Sequence, residues 1–184
     1  MELLKAVNII LPALGEHPVT RIDVKHPTLA IIFPVIDSTL DRELMRGWWF
    51  NEYKHTLFPN SEFEIGLPTD TLAFIPREGL EGSVRGRRLF NGRTLDFLWH
   101  EPVDGVLQLR LPFDELPESF ATFVFYKALV QIYLTDIGLE SVVGEWKQLY
   151  KEAEFLCTNE HLRNMRHTTR KSARYRRLRG AMRA

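Results

Sequence analysis

Apolar positions in the first fifteen residues recur at spacings of three and four: Leu3, Leu4, Val7, Ile10, Leu11 and Leu14. Such positions stack on one side of a helix, so the segment predicts an amphipathic helix. Gly15 supplies a stop, and Pro18 follows shortly after. Pro12 falls inside the pattern, removes a backbone donor, and is expected to kink or shorten the last turn. Residues 18–26, PVTRIDVKH, lose the periodicity and read as an extended connector. A second helix is expected from Pro27 to Arg46, with Pro27 in the first turn. Pro34 interrupts it, so the pattern is continuous only from Val35, where Ile36, Leu40 and Leu44 share a face and Gly47 closes the element.

From Trp48 to Leu111 the pattern changes to short apolar runs punctuated by Gly and Pro, among them FEIGL, TLAFIP, RRLFNGRTLDFLW and GVLQLRL. These predict a small antiparallel β subdomain. The Asn91-Gly92 pair between two such runs is a hairpin signal, because both residues accept the positive backbone angles of a tight turn. REGLEGSVRGRR reads as a loop. Helix returns after Pro117, with Glu115 and Glu118 placed to complement the positive end of the helix dipole. Phe120, Phe123, Val124, Ala128 and Leu129 give it a broad apolar face, and Gly138 ends it. A last helix is expected from Leu139 past Cys157, with Val142, Val143, Trp146, Leu149, Tyr150, Ala153 and Leu156 at helical spacing.

Helix pairs flanking a run of strands argue an α+β fold. The expected division is N-terminal helices over 1–47, a β insertion over 48–112, C-terminal helices over 113–160, and a basic extension over 161–184. A chain of 184 residues can bury about 70% of the surface its unfolded form exposes. Its single cysteine, Cys157, excludes an intrachain disulfide. Glu2 and Lys5 flank the first apolar residues without a basic leader or cleavage site, and runs such as LAIIFPVI are too short to span a bilayer. A soluble protein is expected.

The 24 Lys and Arg balance 24 Asp and Glu, but unevenly along the chain. Beyond Glu160 there is no acidic residue and nine basic ones: Arg163, Arg166, Arg170, Lys171, Arg174, Arg176, Arg177, Arg179 and Arg183. An acidic body with a basic end can meet a second copy, an acidic partner or nucleic acid. Arginine binds carboxylate and phosphate bidentately, so both readings of the segment stand at this level.

Catalytic chemistry finds little support. The histidines, His17, His26, His55, His100, His161 and His167, include no pair at i, i+3 or i+4, and one cysteine cannot begin a metal-binding pair. Cys157 reads as a buried core thiol. Glu62 and Glu64 lie on one face of an expected strand and read as solvated. No nucleophile elbow and no glycine-rich phosphate loop occurs. Neither a cofactor nor a metal is expected.

Three stretches together resemble the tail tubular protein A family, the adaptors of short-tailed bacteriophages. Ala6, Val7, Asn8, Ile10, Leu11, Leu14, Gly15, Glu16, Pro18 and Val19 fill a pattern A-V-N-x-I-L-x-x-I/L-G-E-x-P-V. Arg46, Gly47, Trp48, Trp49, Phe50 and Asn51 match R-G-W-x-F-N. DELPESF, Asp114 to Phe120, resembles D-E-M/L-P-E-x-F. The resemblance covers the chain to about residue 160.

It implies a structural virion protein rather than an enzyme. Such a protein forms a twelve-fold ring between the portal and the nozzle, tail tubular protein B. The ring lines the channel through which genomic DNA passes without sequence recognition, with tail fibres near the joint. The expected location is the virion tail, and the host cytoplasm during assembly. On this reading Trp48 plugs the junction of bundle and β subdomain. If the pair lies on a strand, Trp49 points to the opposite face, toward core or an adjoining subunit. The basic residues Arg163, Arg166, Arg170, Lys171, Arg174, Arg176, Arg177 and Arg179 are then expected at a portal or inter-subunit interface. The alternative is a nucleic-acid-binding module acting through the same basic segment.

Overall fold

Helix α1 spans Leu3–Ala13 and buries Ala6, Val7, Ile10 and Leu11 in the computed structural model, which describes residues 1–138 and 140–165. The helix ends one residue past Pro12. The Gly15 amide donates to the Pro12 carbonyl (3.1 Å) and the Glu16 amide to Leu11 (2.9 Å), the paired bonds that close a helix end. The connector that follows is clamped to α1 by one side chain. Asn8 Nδ2 donates to the Val19 carbonyl (2.9 Å), and the Val19 amide donates back to Asn8 Oδ1 (2.8 Å).

Helix α2 spans Leu29–Leu44, begins two residues after Pro27 and runs through Pro34. The expected interruption does not occur. Pro34 removes one hydrogen bond, while Leu29, Ile32, Ile36, Leu40 and Leu44 bury a continuous face. Tertiary burial of such a face outweighs a local propensity.

Five strands follow: β1 (Glu52–Leu57), β2 (Thr71–Pro76), β3 (Gly82–Arg85), β4 (Arg88–Asn91) and β5 (Val103–Leu109). β5 is the centre of a three-stranded antiparallel sheet in the order β1-β5-β2, with Leu107 opposite both Tyr53 and Phe74. β3 and β4 form a separate hairpin, Arg85 opposite Arg88. The tight turn of that hairpin is Gly86-Arg87, where Gly86 has φ of 62°. This corrects the sequence expectation twice. REGLEGSVRGRR is not a loop but carries β3 and the turn, and Asn91-Gly92 opens an irregular turn closed by the Asn91–Asp96 bridge and by hydrogen bonds of the Asn91 side chain.

A single 3-10 turn, Phe113–Glu115, leads into α3 (Glu118–Asp136). Asp114 Oδ1 accepts the Leu3 amide (2.6 Å), so the acidic start of α3 caps the start of α1. Helix α4 spans Val142–Asn164 and packs along α3. Tyr133 meets Trp146 edge-on (4.8 Å) and Phe123 stacks on Tyr150 (5.7 Å). Two members of the expected apolar stripe do not join the core: Leu149 is 39% and Leu156 62% exposed. The stripe is wider than the one side that α3 covers.

The described residues therefore form two cores. One lies among the four helices and includes Phe113, Phe120, Phe123 and Ile132; the other lies in the β region around Ile65, Phe74, Leu89, Trp99 and Leu107.

Candidate functional site

No group of three or more His, Cys, Asp or Glu side chains able to hold a metal ion occurs among the described residues. Burial pushes the Cys157 thiol up to about 12, against a smaller opposing pull from the Ser119 hydroxyl. A thiol so placed is scarcely ionised at neutral pH and is a poor nucleophile. Glu62 and Glu64 are not strand neighbours, contrary to the sequence expectation. They flank Phe63 in a loop whose amides at Glu62 and Glu64 both donate to Asn60 Oδ1 (2.9 Å each), and Glu64 pairs with Arg88 (2.7 Å).

The best-organised polar cluster is the corner between α2 and β1. Gly47 turns the chain at φ of 75°, and a side chain there would collide with the Glu52 carboxylate and with Gln108. Trp48 follows and is 3% exposed. Its ring lies edge-on to Phe120 (5.1 Å) and His161 (5.4 Å) and tilted against Phe123 (6.2 Å), while Arg46 stacks over it at 5.4 Å. Its indole N–H donates to the Glu43 carbonyl (2.8 Å), a carbonyl at the C-terminal end of α2.

Asn51 completes the corner and is wholly buried. Its Oδ1 accepts the Trp48 amide (2.8 Å); its Nδ2 donates to Leu44 (3.0 Å) and to Leu109 (3.2 Å). The Leu109 amide returns a bond to the Asn51 carbonyl (3.0 Å). One amide side chain thus joins the end of α2 to the end of β5. Arg110 adds an outer tie, donating to Asp41 (2.6 Å) and Asp37 (3.0 Å) on α2. The hydrogen bond to Asp41 is the chief cause that raises the Arg110 pKa.

Trp48 and Trp49 do not lie in a strand. The amides of Asn51 and Glu52 both donate to the Trp48 carbonyl, so the residues form a turn, and the alternation expected of a strand does not apply. Trp49 is half-buried, packs edge-on against Phe50 (4.9 Å), and donates its amide to His161 Nδ1 (3.2 Å) on α4. Beneath the corner, buried Glu43 takes Lys127 of α3 (2.5 Å) and Arg46 (2.9 Å), and Arg46 reaches Glu154 of α4 (3.2 Å). The Glu43 hydrogen bond is the main cause that raises the Arg46 pKa. Glu43 thus ties α2 to α3, and Arg46 with Glu154 carries the network on to α4.

Arg163 is exposed in the last turn of α4. Arg166, Arg170, Lys171, Arg174, Arg176, Arg177 and Arg179 lie outside the described residues. Sequence reasoning passed over Asn51, Glu43 and His161 as site residues. Asn51 carries the one usable signal, a short amide four residues past a helix-ending glycine. Each of the three also has one partner far along the chain, Leu109, Lys127 and Trp49 respectively.

The corner is an arrangement for holding parts together rather than for moving protons or electrons. Comparison with known proteins agrees in kind. The family profile described as Tube, tail tubular protein, matches residues 4–167. Tail tubular protein A of Klebsiella phage KP34 is 30% identical over 182 residues, covering 98% of this chain and 98% of that protein.

Proposed function

The chain belongs to the tail tubular protein family, a structural component of the phage tail, and from that premise we propose that it is the adaptor joining portal to nozzle. Copies form a ring, twelve-fold by analogy with the family, that surrounds the channel for DNA exit without reading sequence. Tail fibres sit near the nozzle end. The protein acts by interlocking and carries no catalytic site; it is made in the host cytoplasm and ends in the virion tail.

The observation that carries this reading is the extent of the likeness: 98% of this chain aligns with 98% of the phage KP34 tail tubular protein A. The residues behind the resemblance have mechanical roles. Asn8 clamps Val19, Asp114 caps α1, and Trp48 with Asn51 ties bundle to sheet. A part that transmits load between two rings needs such stiff joints between its regions.

The basic segment from Arg163 to Arg179 is assigned to the portal side, its arginines pairing with carboxylates. A channel lined by so many cations would grip phosphate and slow DNA exit. The test is attachment to purified portals, followed by electron microscopy, with the full chain and with residues 166–184 deleted. The full chain should form a ring on the portal, and the deletion should weaken attachment at least tenfold at low salt, the difference shrinking as salt rises. Failure of the full chain to attach overturns the adaptor reading. Equal attachment by both overturns the role of the basic segment, and salt-dependent DNA binding by the free full chain would favour the nucleic-acid module instead.

A further inference from the structure

Helix α4 carries two surfaces that no other part of the described chain covers, and they complement each other. The helix buries Val143, Ala153 and Cys157. At about 100° per residue, Phe155, Leu156 and Leu162 fall on another side, where they are 66%, 62% and 42% exposed. Glu145 and Glu152 are exposed on that same side. Large apolar residues grouped on one outward helix face mark a contact surface.

The second surface is a groove of about 470 Å³ between α2, α3 and α4. Its floor is apolar, from Val130, Leu134 and Tyr150, and its rim is cationic, from Arg42, Lys147 and Lys151. Neither Lys147 nor Lys151 makes an ion pair among the described residues. An apolar floor with a cationic rim accepts an acidic amphipathic helix. A DNA backbone would satisfy the rim and gain nothing from the floor. The chain's own basic end is repelled by like charge.

We propose that the outer face of α4 in one copy seats in the α2–α3–α4 groove of the next copy. Phe155 and Leu156 meet the floor, and Glu145 and Glu152 meet Lys147 and Lys151. Donor and acceptor faces differ, and in a ring such a contact repeats head-to-tail from copy to copy. This inference rests on the ring reading above and assigns its lateral contact to named residues.

The test uses tails assembled on portals from chains carrying Phe155→Cys together with Leu134→Cys, both at exposed positions. Mild oxidation should give a ladder of disulfide-linked multimers, and neither single variant should. A second pair, Glu152→Cys with Lys147→Cys, should give the same ladder. A ladder from a single variant alone, or none from either pair, overturns the assigned faces. Amine-reactive cross-linking of the same tails separates the two levels. Amine-linked multimers without a disulfide ladder reject these faces and keep the ring; absence of both rejects the ring, and this contact with it.

Discussion

Each of the two cores buries one tryptophan, and the two are anchored alike. Trp48 in the bundle donates its indole N–H to Glu43 (2.8 Å), and Trp99 in the β region donates to Leu89 (2.9 Å). Both are nearly buried, at 3% and 6% exposure. Their surroundings differ. Trp48 belongs to a cluster of 22 buried residues drawn from the four helices and their connections, Trp99 to one of eight drawn from short strands and loops. The same ring is therefore one contributor among many in the bundle and the centre of the β region. A small core loses its cooperativity to a single change where a large one loses only part of its stability. The bundle reads as the stiff body of the subunit, and the β region as a platform whose order depends on its attachment through Asn51.

The sharpest way to break the comparison is to truncate each ring. Trp48→Ala should lower stability by roughly 3–5 kcal/mol, as large-to-small core changes do, seen as a lower denaturant midpoint for the whole chain. A loss under about 1 kcal/mol would remove Trp48 from the role of corner plug. Trp99→Ala should lose roughly 3 kcal/mol, but locally. Amide exchange should accelerate across β1, β2 and β5 while the amides of α3 stay protected. Uniform acceleration in both regions would show one cooperative unit and defeat the contrast.

Asn51→Ala probes the joint itself. It leaves the Leu44 and Leu109 carbonyls and the Trp48 amide short of partners, at about 2–3 kcal/mol in total. Its signature is the splitting of one thermal transition into two, the β region melting first; a single shifted transition would mean that the cores are coupled elsewhere. The smallest effect belongs to Trp49→Ala. Half-buried and held chiefly by its backbone amide, this residue should change monomer stability by less than about 1.5 kcal/mol. A loss equal to that of Trp48→Ala would erase the distinction between the two neighbours.

Much of the bundle is legible in the linear pattern. The spacing of Leu3 to Leu14, the stop at Gly15 and the acidic start of α3 are set within a few residues by helix geometry, by glycine's backbone freedom and by the helix dipole. The division into helices, strands and helices, and the likeness to a phage tail family, follow from such local signals in their order. What only the folded chain decides involves partners far apart in sequence. Pro34 sits within α2 because the face around it is buried, not because its own preference allows it. Gly86-Arg87 rather than Asn91-Gly92 makes the hairpin, because a turn becomes a hairpin only when both arms find pairing, and Asn91-Gly92 is followed by no matching strand. Leu149 and Leu156 obey the same periodicity as Val143 and Ala153, yet they face outward, because α3 covers one side of α4 and no more. Asn51 is a polar residue in a loop until Leu109, brought beside it by the β1–β5 pairing, gives its amide a second acceptor. A residue's periodicity follows from its own helix or strand; its burial and bonding partners depend on which distant element packs against it.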